Sequence, residues 1–406
     1  MTAELGGKRP TCLAASPEKP SEADLAEELR RIALAAGLDR VGICDAGPFL
    51  ATRRDIESRR REGLSAGMQF TYRNPARSTD PGVTMAGARA LVVGARYYRR
   101  DPPPKVPFGE APAAAPEGRV ARYSWVDHYQ PLREALGVVA ARLVDEGWHA
   151  KVLVDDNALV DRAAAVRAGL GWYGKNSNVL LPGAGSWFVL GSVLTDAPIA
   201  PAEPPSPVPD GCGSCRRCLV DCPTGALVAP GRLDARRCLA WLLQAPGVFP
   251  VEHREALGDR IYGCDECQER CPANRRAERT VAFRNVEPSP GARRSGGLPA
   301  EEDSQPSIPL LAILDADDEE LEEMVGRWYI PGREMRYVRR NALVVLGNIG
   351  RGDDPAVAAA LGRALEDSDP LIRAHGVWAA RRLGRTDLLV ELAGDDNPLV
   401  QAELSR

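Results

Sequence analysis

The chain has 406 residues, of which 44% are hydrophobic and 27% charged, with a formal net charge of −4. These proportions are those of a soluble globular protein of two to four domains, and they exclude a disordered or fibrous chain. No apolar run nears the ~20 residues of a membrane helix, and the mild acidity excludes a broadly basic nucleic-acid binder while leaving room for a local basic patch.

Residues 1–20 hold Lys8, Arg9 and polar, proline-containing stretches without an apolar core, so they are expected to form a disordered tail with no secretory or twin-arginine character. Leu25, Leu29, Ile32 and Leu34 recur at helical spacing behind a Ser21-x-x-Asp24 cap, which predicts a helix from Ser21 to Ala36. Strands are expected at Val41–Cys44, Leu91–Val93, Lys151–Val154, Val179–Leu181 and Trp187–Leu194, with helices at Leu132–Glu146 and Leu159–Ala168. Together they predict a mixed α/β domain over 21–201, interrupted by a proline-rich surface loop from Asp101 to Pro116. Six prolines between Pro198 and Pro209 make a stiff connector into a cysteine-rich module over 202–286. A linker is expected at 287–325, and helical repeats at 326–406, because Asp369-Pro370-Leu371-Ile372-Arg373-Ala374 returns loosely as Asn397-Pro398-Leu399-Val400-Gln401-Ala402. Such helix pairs are of HEAT type, and two or three are too few to stand alone, so the block is expected to dock on the other domains.

Eight of the ten cysteines lie between Cys212 and Cys271. They read Cys212-x2-Cys215-x2-Cys218-x3-Cys222-Pro223, then Cys238 alone, then Cys264-x2-Cys267-x3-Cys271-Pro272. A [4Fe–4S] cubane needs four converging thiolates, and in two-cluster ferredoxins the cysteine before proline ligates the other cluster. By that rule Cys212, Cys215, Cys218 and Cys271 hold one cluster. Cys222, Cys238, Cys264 and Cys267 hold the second, Cys238 standing in for a third cysteine whose slot is taken by Arg270. Zinc also accepts paired C-x2-C units, but the triple group followed by Cys-Pro has no tetrahedral rationale. Disulfides need an oxidising compartment, which nothing in the chain's start implies.

Other motifs carry less. Gly169-Leu170-Gly171-Trp172-Tyr173-Gly174 fits G-x-G-x-x-G, but a helix precedes it and a strand follows, the reverse of a dinucleotide site. These glycines are expected instead to end a helix and to permit close backbone approach. Asp156 and Asn157 suit N-capping, while Asp155 sits at the carboxyl end of an apolar strand, where α/β folds place functional groups. The four histidines show no metal-ligand spacing, and Cys12 and Cys44 are expected to be plain thiols. Arg327, Arg333, Arg336, Arg339 and Arg340 face one acid, Glu334, within the same stretch; this suits either a solvated helix face or a grip on a phosphate backbone.

Taken together, V-D-D-N-A-L-V-D-R-A-A-A-V-R-A-G-L-G-W-Y-G-K-N (154–176), G-S-W-F-V-L-G (185–191), the cysteine groups and A-R-R-C (235–238) resemble the bacterial epoxyqueuosine reductases, which act on tRNA. The resemblance runs from about residue 21 to the end. It implies a nitroreductase-like α/β domain holding base-off cobalamin without a protein ligand to cobalt, a two-cluster ferredoxin-like module, and HEAT-like helices. It also implies that Asp155 is the proton donor and that Arg77, Ala121, Asp155, Lys175, Asn176, Val179, Leu190 and Asp265 contact the corrinoid. The family's D-Y-H element stands here as His128-Tyr129-Gln130, a departure that touches any role of that element. The expected substrate is the wobble nucleoside of a tRNA anticodon stem-loop, its phosphates held by Arg237, Gln244, Arg336, Arg339 and Arg340. The expected electron donor is a flavodoxin or ferredoxin, and the protein is expected to be a cytoplasmic monomer without a membrane partner. The alternatives are a corrinoid-dependent reductive dehalogenase and a ferredoxin-like electron carrier with an adaptor domain.

Overall fold

The computed structural model describes residues 21–99, 115–201, 203–279 and 304–406. The expected tail and most of the proline-rich loop therefore lie outside the described residues, as does the first part of the expected linker.

Ser21 accepts the Asp24 N–H and starts α1 (Glu22–Ala35), which runs into β1 (Arg40–Asp45). Four helices follow, α2 (Leu50–Arg61), α3 (Phe70–Arg73), α4 (Pro75–Ser78) and α5 (Pro81–Thr84), before β2 (Ala90–Tyr97). After β3 (Glu117–Val120) come α6 (Tyr129–Asp145), β4 (Ala150–Val154), α7 (Asp161–Arg167), β5 (Trp172–Tyr173), β6 (Val179–Leu180) and β7 (Phe188–Thr195). The main sheet has the order β1-β2-β7-β4 with every neighbour antiparallel.

Alternation along these strands builds two cores. Val41, Ile43, Val92, Val154 and Val193 pack with Leu25 and Leu29 of α1 and Leu132, Leu136 and Val139 of α6. Leu91, Val93, Leu153 and Leu194 face the other way, onto Ala163, Ala164 and Ala165 of α7. The period of two sends successive side chains to opposite layers, so both faces need helices. Gly94 and Gly191 are register partners, and a Cβ on either would press into Leu136, at 3.2 and 2.9 Å. The paired glycines thus let Leu136 lie flat on the sheet, where a fully buried leucine contributes roughly 1.5–3 kcal/mol.

The cysteine-rich stretch is nearly all turn and short helix. It contains α8 (Arg217–Val220), β8 (Leu227–Ala229), β9 (Arg232–Leu233), α9 (Leu239–Leu242), α10 (Val251–Leu257), β10 (Arg260–Tyr262), α11 (Glu266–Glu269) and α12 (Pro272–Arg279). The chain resumes with β11 (Ser307–Pro309), α13 (Leu310–Asp315) and α14 (Asp318–Val325), the last opened by a capping box at Asp317 and Glu320. These three elements occupy the later part of the span expected to be a linker. Ile308, Leu310, Ile313, Leu321 and Val325 are buried there, so the segment has a core to join.

The repeats are α15 (Arg336–Ile349), α16 (Pro355–Leu365), α17 (Pro370–Arg382) and α18 (Pro398–Leu404), the last three each capped by Asp or Asn before a proline. One continuous core takes in Leu239, Phe249 and Ile261 of the cysteine module, Ile308 and Leu310, and Leu343, Leu346 and Val377 of the repeats. A three-stranded sheet, β10-β3-β11, ties these regions to the α/β layer, since β3 pairs with β10 in parallel and with β11 in antiparallel. Among the described residues no helix is long and apolar enough to cross a membrane.

Candidate active site and cluster sites

A cavity of about 620 Å³ opens where the α/β layer, the cysteine module and the start of the repeats meet. Its wall includes Asp155, Asn176, Val179 and Leu190 from the first region, and Asp265 and Gln244 from the second. Three thiols, Cys238, Cys264 and Cys267, complete that side, and Arg327 and Tyr329 close the third. The size falls within the roughly 300–1,000 Å³ usual for cofactor sites.

Asp155 follows β4 directly and takes φ +51, a left-handed backbone that costs a non-glycine residue about 1 kcal/mol and that Asp tolerates better than most. The next turn is locked locally: Asp156 Oδ1 accepts the Ala158 N–H at 2.8 Å, the capping role expected of it. The Asp155 surface is open because the cavity is open, yet protein crowds its carboxyl on the remaining sides. Desolvation therefore raises its pKa above the ordinary carboxylate value, opposed by the Arg133 guanidinium and helped by the Asp156 charge. Asp161, at the first position of α7, is more strongly affected. Its burial and then the nearby Asp155 charge push it far up, and its Oδ1 has no hydrogen-bond partner. Burial, followed by the charges of Asp155 and Asp161, likewise raises the Tyr129 hydroxyl.

The glycine motif lies beside this turn. Gly169 (φ +70) ends α7, and a Cβ on Gly171 would stand 2.1 Å from the Leu180 carbonyl oxygen. The bulky object that these glycines approach is thus the β5–β6 hairpin itself, which carries Asn176, Asn178 and Val179 to the cavity. Asn176 donates Nδ2 to the Cys267 carbonyl at 3.2 Å, and Asn178 Nδ2 reaches Cys267 Sγ at 3.9 Å. On the opposite wall Asp265 accepts the Arg122 N–H at 2.8 Å; burial lifts it to about 6 against that bond and the Arg122 charge.

The eight cysteines of the module are free and partly buried; among the described residues no three of them are grouped as ligands to a single metal ion, and their electrostatic neighbours follow the two expected quartets. The Cys218 thiol is pushed up to about 11 by burial and then by Cys271, Cys212 and Cys215 close by. Cys264 is pushed to about 12 by burial foremost, with Cys238 adding to it, and Cys238 in turn feels Cys222. Cys267, partly buried on the cavity wall, feels Cys264 and Cys238 before Cys218, so the two sets adjoin. Thiols crowded in this way are poor thiolates until a cation neutralises them, and a soft four-thiolate donor set is what an iron–sulfur cluster requires. Three members of the second quartet line the cavity, whereas none of Cys212, Cys215, Cys218 and Cys271 does.

The remaining expected site residues divide. Arg77 lies exposed on α4, Ala121 is buried beside Gly263, and the Lys175 ammonium donates to the carbonyls of Gly213 and Cys215; none of the three lines the cavity. Arg237 is exposed and Gln244 lines the wall. Arg340 is a correction: it is fully buried and donates to the carbonyls of Ala245 and Gly247 at 2.7 and 2.6 Å, and of Leu242 and Leu243 beyond. It caps the chain leaving α9 and cannot meet RNA. Arg339 is tied to Asp318 and to the Ala316 carbonyl, and Arg336 pairs with Asp369 at 3.1 Å while staying 42% exposed.

Several further wall residues were not singled out from the sequence: Phe70, Tyr129, Arg133, Arg162 and Tyr329. Phe70 and Tyr329 touch across the mouth at 4.9 Å between ring centroids, and Tyr262 stacks on Trp328 at 4.5 Å. Two carried a signal: Tyr129 in the altered three-residue element and Arg162 in the 154–176 stretch.

Residues 211–274 match the family model of a 4Fe-4S double cluster binding domain, and residues 332–405 match HEAT repeats. The chain is 32% identical over 358 residues to an epoxyqueuosine reductase of Bacillus anthracis, covering 86% of each. It is 35% identical over 377 residues to one of Xanthomonas campestris, covering 90% of this chain and 98% of that one. A solved epoxyqueuosine reductase with a tRNA-Tyr epoxyqueuosine-modified stem loop superimposes with a TM-score of 0.80 at 29% identity, covering 95% of this chain and 98% of the other.

Proposed function

The chain belongs to the epoxyqueuosine reductase family, and from that premise we propose that it reduces epoxyqueuosine to queuosine at the wobble position of tRNA with Asp155 as proton donor. Removing the epoxide oxygen to leave an alkene consumes two electrons and two protons and releases water. When bound, two [4Fe–4S] clusters and a cobalamin would supply those electrons and a reduced cobalt centre. Cys212, Cys215, Cys218 and Cys271 would hold one cluster, and Cys222, Cys238, Cys264 and Cys267 the other. Asn176, Val179, Leu190 and Asp265 would face the corrinoid.

What carries this reading is one juxtaposition: Asp155 and three thiols of the inner quartet line the same cavity. A donor of electrons and a donor of protons must both reach one substrate carbon–oxygen bond, and that cavity gives them a shared space. The carboxyl delivers its proton to the leaving oxygen, and its raised pKa keeps a larger share protonated near neutrality than a solvated Asp has. Arg133 limits that rise by favouring the carboxylate left after the transfer; solvent supplies the second proton and reprotonates Asp155 before the next turnover. A nucleobase can reach the cavity only by being splayed out of its loop, as single-stranded RNA permits. Phe70 and Tyr329 at the mouth suit stacking, while Arg237, Gln244 and Arg336 remain to hold the flanking nucleotides.

The deciding measurement is mass analysis of tRNA nucleosides after anaerobic reconstitution with iron, sulfide and cobalamin. Asp155→Asn is expected to keep iron content and RNA binding while losing roughly 10²- to 10⁴-fold in conversion, the usual worth of a general acid. Full conversion by that variant would transfer the role to Asp161 or to solvent.

A further inference from the structure

We propose that the surface over Cys212–Cys222 is the docking face for an acidic one-electron carrier protein. This deepens the reading above, since it needs an outer quartet that holds a cluster. The two quartets differ in where they look. The inner one borders the cavity that a substrate must fill, whereas the outer one has no cavity contact and lies under a thin cover: Gly211, Gly213 and Ser214 are all exposed. Small residues over a redox centre let a partner approach closely.

The cover is also the right shape and sign. Val220, at the end of α8, is 77% exposed, the highest value among the exposed large hydrophobic residues described. Arg216 and Arg217 precede it, both exposed, and neither has a carboxylate partner among the described residues. α8 packs on α11, which leads directly into α12, and that helix exposes Arg275 and Arg276. Lys175 sits beneath, bound to the Gly213 and Cys215 carbonyls. Against these five cations stand Asp210, whose carboxylate accepts the Cys212 N–H, and Asp221. A net positive rim around an exposed valine, in a chain of net charge −4, is the pattern of a transient protein contact steered by charge. An RNA backbone would use the arginines but not the valine, and an RNA delivering its base to the cavity must cover the other quartet's side. Each encounter oxidises the carrier by one electron, so two encounters supply the pair that the reaction consumes.

The test uses the full chain with its clusters reconstituted and two reductants, a reduced acidic flavodoxin and dithionite, with cluster bleaching followed by anaerobic stopped flow. Arg216→Glu/Arg217→Glu is expected to slow bleaching by flavodoxin at least about tenfold at ~50 mM salt, with the difference fading near ~0.5 M as charges are screened. Arg275→Glu/Arg276→Glu, outside the cysteine loop, should act in the same direction, which guards against a loop variant that simply fails to assemble its cluster. Dithionite, too small to need a docking face, should bleach all of them at nearly the wild-type rate. Unchanged flavodoxin rates in both double variants overturn the proposal, and so does a loss confined to binding of an RNA stem-loop. If dithionite bleaches nothing even in the wild type, the cluster assignment itself falls, and the docking face with it.

Discussion

Arg340→Met separates a structural arginine from an RNA-binding one. The substitution keeps a long apolar stem but removes a guanidinium that donates to four carbonyls, two of them, Ala245 and Gly247, at 2.7 and 2.6 Å. It also removes a cation beside the rings of Phe249 and Tyr337, 5.8 and 5.4 Å from their centroids. Burial lowers the Arg340 pKa to about 9, so the group is still charged at neutral pH, and those carbonyls, the Asn341 Oδ1 at 2.7 Å and the two rings offset its desolvation. Leaving a buried acceptor unanswered costs about 1–3 kcal/mol, so the two short bonds alone put the loss at roughly 2–6 kcal/mol. The damage is local to the joint between α15 and the chain after α9. Hydrogen exchange in peptides spanning 239–257 and 336–349 should therefore accelerate at least about thirtyfold, with a lower melting temperature. The folded fraction should bind an RNA stem-loop with unchanged affinity and salt dependence. Unaltered exchange together with weaker RNA binding, and a log–log salt slope shallower by about one, would refute the reasoning.

Two further outcomes follow from buried charge. A general acid works only while protonated, and Asp155 has a raised pKa, so the single-turnover rate should hold at low pH and fall as pH rises through a value above the ordinary carboxylate range; a flat profile from pH 5 to 9 would contradict it. Arg254 and Glu403 form a buried pair at 2.9 Å, so Glu403→Ala should strand the arginine and cost about 3–5 kcal/mol, read as a melting shift that Arg254→Met/Glu403→Leu largely restores.

The cysteine module was legible because its spacing is local: two- and three-residue gaps mark thiols that one turn can present together, whereas Cys238 and Cys271 reach the others only through the fold. Asp155 was legible for a related reason: a strand followed by a capped helix announces its own carboxyl end. Arg340 was not. It shares a helix and a charge with Arg336, one turn earlier on α15, yet one faces the segment after α9 and the other faces Asp369. The described part of the expected linker, residues 304–325, differs in the opposite direction. Its composition is that of a linker, but Ile308 and Leu310 find partners far away in sequence.

By itself the sequence determined the elements of the α/β layer, the iron–sulfur ligand pattern and the helical character of the end, because spacing, capping and periodicity act over a few residues. Only the tertiary structure decided that β3 would join three regions in one sheet, that three cysteines and an aspartate would share a cavity, and which arginines would be buried. Those outcomes depend on which surfaces meet. A guanidinium's environment is set by the segment packed against it rather than by its neighbours along the chain.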